Sequence, residues 1–204
     1  MTPQLSADGL TLFRGERCLF QGLSFALNPG ELLLLEGRNG SGKTSLLRAI
    51  AGMLELESGE IYWNESPVNN ERQLFQNSMV LMSHKVGFKG DLNLVENLQF
   101  EASLRPQSTR DFDDVVKRLG LKKLKRLPLR SLSAGQQRRV ALARMLLSSA
   151  PLWMMDEPVS NLDSEGRLLA KELIAEHLRN GGMAIVAAHQ DIDIDAPTHR
   201  IKLQ

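Results

Sequence analysis

One stretch of this 204-residue chain decides its fold: Gly37-Arg38-Asn39-Gly40-Ser41-Gly42-Lys43-Thr44. The stretch matches the pattern G-x-x-x-x-G-K-[ST], follows the apolar run 32–35 and opens a segment with apolar residues at helical spacing. Its glycines let the backbone turn with N–H groups pointing inward, and a helix start adds roughly half a positive charge. We therefore expect a loop that holds phosphates, in which Lys43 neutralises the outer phosphates and Thr44 binds Mg²⁺.

A second apolar run, 152–155, ends in the carboxylates Asp156 and Glu157, and Pro158 stops the strand that the run predicts. At a strand end beside the phosphate loop, Asp156 would hold Mg²⁺ directly or through water, and Glu157 would be free to polarise an attacking water. An Asp-Glu pair on its own is as easily a surface pair at a strand terminus. Together with the phosphate loop, the pair indicates nucleotide hydrolysis.

A second candidate phosphate site lies at Ser133, where a long helical pattern begins. Ser133 and Gln136 have the spacing of a capping box, and the pattern continues to residue 147. The start of such a helix exposes N–H groups and a hydroxyl, which can bind an anion. Taken alone, these residues are better explained by an ordinary helix cap.

The remaining pattern indicates an α/β fold. Short apolar or alternating runs dominate the first part, helical patterns occupy about 86–148, and a strand, a helix and a strand follow from residue 152. Apolar strands separated by a helix are typical of a parallel sheet. We therefore expect a single domain, residues 1–204, whose α/β core comprises 1–85 and 149–204 and is interrupted by a helical subdomain at about 86–148.

Composition excludes several classes of protein. Hydrophobic residues make up 42% and charged residues 24%, the balance of a globular chain rather than a disordered one. Lys and Arg number 25 and Asp and Glu 24, so the net charge of +1 gives no general reason to bind nucleic acid or an acidic membrane. The one cysteine, Cys18, indicates a reducing compartment. No apolar run approaches the roughly 20 residues of a membrane span, so we expect membrane contact only through a partner.

Taken together, the motifs resemble those of the ATP-binding cassette (ABC) ATPases. The phosphate loop, 132–136, Asp156-Glu157, 160–163 and His189 occur in that family's order. The resemblance implies a P-loop NTPase of ABC type, with a mixed sheet core, an N-terminal antiparallel β part and an inserted α-helical subdomain. It also implies a head-to-tail homodimer, in which ATP and Mg²⁺ lie between Lys43 of one subunit and Ser133 of the other.

The resemblance assigns roles to individual residues. The expected catalytic residues are Lys43, Glu157 and His189, and the expected metal ligands are Thr44, Asp156 and His84. The residues expected to bind ATP are Gly37, Arg38, Asn39, Gly40, Ser41, Gly42, Lys43, Thr44, Ser45, Arg14, Ser133, Gly135, Gln136 and Asp163.

A narrower resemblance rests on the stretch 132–144, LSAGQQRRVALAR, together with Ser83-His84 and 19–25. These segments resemble the ATPase subunits of cytochrome c maturation transporters, also described as haem exporters. The resemblance implies a peripheral protein on the cytoplasmic face of the bacterial inner membrane, with an integral membrane partner and no nucleic acid. It leaves open whether haem is exported or a haem-loaded chaperone is released. The alternatives are an ABC ATPase of an assembly complex such as Fe–S biogenesis, another small ABC exporter, and a binding module without hydrolysis.

Three positions depart from the ABC pattern. His84 stands where a Gln is usual, and an imidazole is a poor Mg²⁺ ligand beside carboxylates. Arg14 stands where an aromatic ring usually lies under adenine; its guanidinium can stack on a base, and the adjacent Phe13 is alternatively a core residue. Ala134 replaces a Gly, which is tolerated at a negative φ.

Two weaker patterns are expected to belong to ordinary surface residues. The segment 117–130 holds seven basic residues and no acidic one, which favours a solvated face over contact with lipid headgroups or with an acidic loop of a partner. His177 and His199 are expected on the surface, because neither belongs to a cluster with metal-ligand spacing.

Overall fold

The computed structural model describes residues 4–84, 87–104, 106–189 and 192–204. Its strands are β1 (Leu5–Arg14), β2 (Arg17–Leu27), β3 (Leu32–Glu36), β4 (Ser58–Trp63), β5 (Ser66–Pro67), β6 (Met79–Met82), β7 (Leu152–Asp156), β8 (Met183–Ala187) and β9 (Thr198–Lys202). Its α-helices are α1 (Lys43–Ile50), α2 (Arg72–Ser78), α3 (Leu94–Leu104), α4 (Phe112–Arg118), α5 (Ala134–Leu147) and α6 (Ser164–Arg179), and short 3₁₀ turns lie at Lys122–Leu124 and Leu129–Ser131.

Within the described residues, the strands form two sheets. The first has the order β2-β1-β4-β5 and is antiparallel, and the second has the order β6-β7-β8-β3-β9 and is parallel. The helices α3, α4 and α5 lie between β6 and β7 along the chain. This is the mixed α/β fold that the sequence predicts, with an N-terminal antiparallel part and inserted helices.

The strand β3 shows how the sequence specifies two packed layers. Its four leucines are completely buried, as expected for a parallel strand that is covered on both faces. Leu32 and Leu34 join one hydrophobic core with residues of α5 and α6, whereas Leu33 and Leu35 join another with residues of α1 and β1. The alternation of side chains along the strand therefore assigns successive leucines to opposite layers.

Parallel pairing places the carboxyl ends of β3, β7 and β8 at the same edge of the sheet. The phosphate loop follows β3, Asp156 ends β7, and His189 lies just beyond β8. Ligands of open α/β sheets bind at such an edge. The topology thus brings the phosphate loop together with Asp156 and His189, both of which lie more than a hundred residues later in the sequence.

Three elements are absent from the sequence-based expectation: α2, β5 and β9. The strand β9 pairs with β3 at the edge of the parallel sheet, and most of its side chains are exposed. Charged residues on an edge strand discourage pairing with other chains. For that reason its sequence, Thr-His-Arg-Ile-Lys, contains no apolar run that would have revealed a strand.

The expectation that His177 lies on the surface is wrong. Its ring is partly buried and stacks on Trp153, with ring centroids 4.0 Å apart. Its Nε2 lies 3.1 Å from the carbonyl oxygen of Pro151 and 3.2 Å from that of Met183. Burial lowers the pKa of His177 to about 4, so the ring is a neutral core group. His199 is half exposed, as expected.

The basic segment 117–130 is largely exposed. Three of its cations form ion pairs: Arg118 with Glu176, Lys125 with Asp113, and Arg130 with Asp91. Across the parts of the chain described by the structure, no helix has the length and apolar character needed to cross a membrane.

Candidate nucleotide site

The predicted phosphate loop borders a cavity of about 390 Å³ at the carboxyl edge of the parallel sheet. Many of the predicted site residues line this cavity, including the metal candidates and the departures at positions 14 and 84. The lining consists of Arg14, Leu19, Asn39, Gly40, Gly42, Lys43, Thr44, Ser45, His84, Asp156 and Glu157.

Gly37 sets the path of the loop as it leaves β3. Its φ is 146°, and a Cβ there would lie 2.3 Å from the carbonyl oxygen of Leu203 and 2.5 Å from Ser41 Oγ. No side chain fits in this space, so glycine is required for steric as well as conformational reasons. Ser41 is 3% exposed, and its Oγ has no hydrogen-bond partner among the described residues.

The side chain of Lys43 is held against the start of the phosphate loop. Its Nζ donates hydrogen bonds to the carbonyl oxygens of Gly37, at 2.7 Å, and Arg38, at 3.0 Å. An ammonium group has three N–H donors, so one remains for a ligand. The structure therefore fixes a positive charge where the sequence predicts the outer phosphates.

The two strongest metal candidates are in direct contact. Thr44 Oγ1 donates a hydrogen bond of 2.8 Å to Asp156 Oδ2, and Asp156 is 4% exposed. A hydroxyl and a carboxylate are oxygen ligands that fit Mg²⁺, which usually combines one or two protein ligands with substrate phosphates. Within the described residues, no group of three or more His, Cys, Asp or Glu side chains is placed to hold a metal ion.

Glu157 has an unusual backbone conformation, with φ 52°. Its N–H donates to the carbonyl oxygen of Ala187 at 2.8 Å, which fixes the residue to β8 directly after β7 ends. Its Oε1 lies 3.1 Å from Nδ1 of His189. The structure therefore brings together two of the predicted catalytic residues, 32 positions apart, at the rim of the cavity.

The second candidate phosphate site is a true helix cap. Ser133 Oγ accepts a hydrogen bond of 3.2 Å from the Gln136 N–H, and Gln136 Oε1 accepts one of 2.9 Å from the Ser133 N–H. The predicted capping box is confirmed. Ala134 has no positive φ, so its replacement of the usual glycine strains nothing.

Ser133 faces a cavity of its own, of about 600 Å³. Among the described residues, no side chain lines both this cavity and that of the phosphate loop. The two predicted phosphate sites therefore do not meet within one chain. The second cavity contains Gly120, Leu121, Leu124, Ser133, Ala134, Gly135, Gln136, Arg139, Asn161, Leu162 and Asp163.

Asp163, which is among the residues expected to bind ATP, caps α6. Its Oδ1 accepts hydrogen bonds from the Gly166 N–H, at 2.9 Å, and from Arg139 Nη2, at 3.0 Å. The backbone hydrogen bond from Gly166, together with the Arg139 guanidinium, holds the pKa of Asp163 below its usual value. Asp163 is therefore a fixed negative charge beside Ser133.

The structure also locates residues that the sequence reasoning missed. Arg138 is buried and lines a further cavity together with His84 and Ala134, Arg139 lines the Ser133 cavity, and Asn161 has a left-handed backbone with φ 62°. Two adjacent arginines near the start of α5 were the available signal. Phe13 is 43% exposed, so it is not a core residue, and Arg14 lines the nucleotide cavity.

Comparison with known proteins agrees with this geometry. The ABC transporter family matches residues 20–160. The chain is 42% identical to the "Cytochrome c biogenesis ATP-binding export protein CcmA" of Methylococcus capsulatus, over 98% of this chain and 97% of that protein. It is also 42% identical to the protein of the same name from Vibrio cholerae, over 96% of each chain.

Solved structures share the fold. A Pyrococcus furiosus protein described as an ABC transporter ATP-binding protein superposes with a TM-score of 0.83 at 23% identity, over 97% of this chain and 96% of that one. A nucleotide-free ATP-binding cassette from an ABC transporter gives a TM-score of 0.77 at 21% identity, over 92% of this chain and 82% of that one.

Proposed function

Because this chain belongs to the ABC transporter family, and within it to the cytochrome c biogenesis ATP-binding export proteins, we propose that it is the ATP-hydrolysing subunit of a transporter complex in c-type cytochrome biogenesis. The observation that carries the proposal is a geometric one. Lys43, the Thr44–Asp156 pair and the Glu157–His189 pair meet at one edge of the sheet, around the phosphate loop.

Each side chain has a distinct task in hydrolysis. The loop N–H groups and Lys43 bind the triphosphate, and the carbonyl contacts of Lys43 hold its charge at the outer phosphates. Thr44 and Asp156 would hold Mg²⁺, which would neutralise charge on the phosphates when bound. Glu157 accepts the proton of the attacking water, and His189 orients the Glu157 carboxylate and contacts the terminal phosphate.

The separation of the two cavities supports a head-to-tail homodimer. The Ser133 cavity offers helix N–H groups but contains neither the phosphate loop nor a metal candidate. A second copy of the chain can supply those groups if each Ser133 faces the Lys43 of its partner. In that arrangement the N-terminal ends of two α5 helices and two phosphate loops enclose two ATP molecules, and Asp163, Gly135 and Gln136 lie at the interface.

The proposal extends to the assembly. The chain acts as one ABC ATPase domain, with a core of 1–85 and 149–204 and a helical subdomain at about 86–148. It works peripherally at the cytoplasmic face of the bacterial inner membrane with an integral membrane subunit, and not with nucleic acid. The names of its relatives favour this assembly over an Fe–S assembly complex. The membrane subunit determines whether haem is exported or a haem-loaded chaperone is released.

Gentle detergent extraction tests the proposal. A tagged full-length chain isolated from membranes is expected to bring an integral membrane subunit with it and to hydrolyse ATP. Lys43→Ala in the same assembly should retain the subunit but lose nucleotide affinity, because the charge at the outer phosphates is gone. Isolation of the chain alone, or normal nucleotide affinity of Lys43→Ala, would contradict the proposal.

A further inference from the structure

Arg138 is a buried cation to which the proposed hydrolysis assigns no task. It lies in the second turn of α5 and is 2% exposed. Its Nη1 donates to the carbonyl oxygen of Ser83 at 3.2 Å, and its Nη2 donates to Ser160 Oγ at 2.6 Å. Burying a guanidinium is costly, so such a side chain persists only with partners that satisfy it.

The partners of Arg138 belong to two loops that border the nucleotide cavity. Ser83 immediately precedes His84, and Ser160 lies in the segment 157–163 that begins at Glu157. The nearby carboxylates of Asp156 and Glu157 attract the guanidinium and oppose the effect of burial, which lowers the pKa of Arg138. One side chain of α5 thus contacts both loops.

A second contact ties the start of α5 to the same loop. The carbonyl oxygen of Asn161 lies against Gly135, where a Cβ would approach it to 2.6 Å. At its other end the loop is fixed to β8, since the Glu157 N–H donates to Ala187. The loop is therefore held between β8 and α5. A shift of the helix start changes the position of the loop, and with it the direction of Glu157.

We propose that Arg138 is a positioning residue for hydrolysis, which couples the start of α5 to the loop that begins at Glu157. Contact of Ser133 with the nucleotide of a partner subunit would then fix the Glu157 carboxylate through Arg138 and Ser160. This inference rests on the proposed function, because it needs both ATP hydrolysis and the head-to-tail dimer.

The same helix offers a matched control. Arg144 lies on α5 and is also largely buried, and its Nη2 donates to the carbonyl oxygen of Leu81 at 2.7 Å. Leu81 belongs to β6 and not to the loop that follows Glu157. Arg144→Lys therefore disturbs the attachment of the helix to the sheet, whereas Arg138→Lys disturbs its attachment to the loop.

The experiment is a double-mutant cycle. Each variant chain is assembled with the membrane subunit and compared with the wild-type assembly. We expect Arg138→Lys and Ser160→Ala each to lower kcat for ATP by about tenfold or more, the scale of a hydrogen bond to a charged group, with KM unchanged. The double variant should lose no more than the larger single loss, because both changes break one contact. Arg144→Lys should retain kcat within about twofold at a comparable loss of thermal stability.

Additive losses in the cycle, an equal loss of kcat in Arg144→Lys, or a change in KM alone would overturn the inference. Ser160→Ala removes a single oxygen atom and so keeps the test valid even if Arg138→Lys folds poorly. An assembly whose wild type binds no ATP or does not hydrolyse it contradicts the proposed function instead. The two failures are therefore distinguishable.

Discussion

Glu157 illustrates, for a single residue, how the fold places a proposed catalytic group at an energetic cost. A left-handed backbone costs a non-glycine residue about 1–2 kcal/mol, and Glu157 has φ 52°. The hydrogen bond from its N–H to Ala187 holds this conformation as the chain leaves β7. The carboxylate consequently points toward His189 rather than continuing the alternation of the strand.

Removal of the Glu157 charge should separate binding from hydrolysis. We expect Glu157→Gln to lower kcat by about 100-fold or more, because an amide cannot accept the proton of the attacking water. Nucleotide affinity should be retained, since Lys43 and the loop are untouched. Glu165→Gln, which removes an exposed carboxylate from α6, is the control. Unchanged turnover in Glu157→Gln would refute the role, and kinetics with radiolabelled ATP measures both quantities.

His177 makes the stability of the protein depend on pH. Its pKa is about 4 in the folded chain, against an ordinary value of 6.5, because burial disfavours the charged ring. As the pH falls below 6.5, the unfolded chain takes up the proton first. The stabilisation is therefore complete above about pH 6.5 and is lost progressively toward about pH 4, by about 3 kcal/mol in total.

Urea unfolding at several pH values measures this contribution. Wild type and His177→Gln should differ in the slope of unfolding free energy against pH between about 6.5 and 4, with the steeper loss in wild type. His199→Gln, which changes a half-exposed ring, should keep the wild-type slope. Parallel curves for wild type and His177→Gln would show that the ring is not held neutral by the fold.

At the scale of elements, strands buried on both faces were predictable and edge elements were not. The strands β3 and β7 can be recognised in the sequence as continuous apolar runs, because water is excluded from both faces of the sheet. The strand β9 and the two-residue β5 lack that signal, since β9 is mostly exposed and β5 is too short for any periodicity. β9 pairs with β3, which lies far away in the sequence, and β5 pairs with β4. Each of the two strands therefore forms only because a partner strand is present.

The residues of the candidate site also fall into two groups, those that could be predicted from the sequence and those that could not. The phosphate loop, the carboxylates and the helix cap were predictable, because each motif acts through its own backbone or its own few residues. The contacts of Arg138 and the left-handed Asn161 were not, because their partners lie on other elements and only folding defines the distances. The chemistry of a local motif can be predicted from the sequence, whereas contacts between separate elements are defined only by the tertiary structure.

The close approach of α5 to the loop after β7 gives a prediction for the element as a whole. Gly135→Ala places a methyl group 2.6 Å from the carbonyl oxygen of Asn161, so the helix start and the loop must separate. Overpacking of this kind costs about 1–3 kcal/mol, and we expect kcat to fall at least about tenfold. Binding of ATP to the phosphate loop of the isolated subunit should stay unchanged, as fluorescence titration with a labelled nucleotide would show.

Ala134→Gly is the control for that change. It alters the neighbouring position at the same helix start but removes a methyl group instead of adding one, at a cost of about 1 kcal/mol in helix stability. Turnover close to wild type is expected. Equal losses in both variants would mean that any change at the start of α5 is harmful and that the contact with Asn161 has no special part.

In the proposed head-to-tail dimer, each molecule supplies half of each active site. A monomer presents a phosphate loop at one cavity and a capped helix start at another, and the described residues provide no overlap between them. Symmetric dimers use the same surface patches on both subunits, so one pairing completes two sites together. In such a dimer, contact between the two subunits would form both sites at once, and each site would then bind its own ATP.

Mixed dimers test this geometry directly. Lys43→Ala and Ser133→Phe chains should each retain no ATP alone, but a mixed dimer of the two has one site with both defects and one site that is intact. We therefore expect the mixture to regain ATP retention in about a quarter of the sites, if subunits pair at random. The matched control mixes Lys43→Ala with Asp156→Asn, whose defects lie on the same face and leave no site intact. Rescue in the control, or none in the first mixture, would exclude the head-to-tail arrangement.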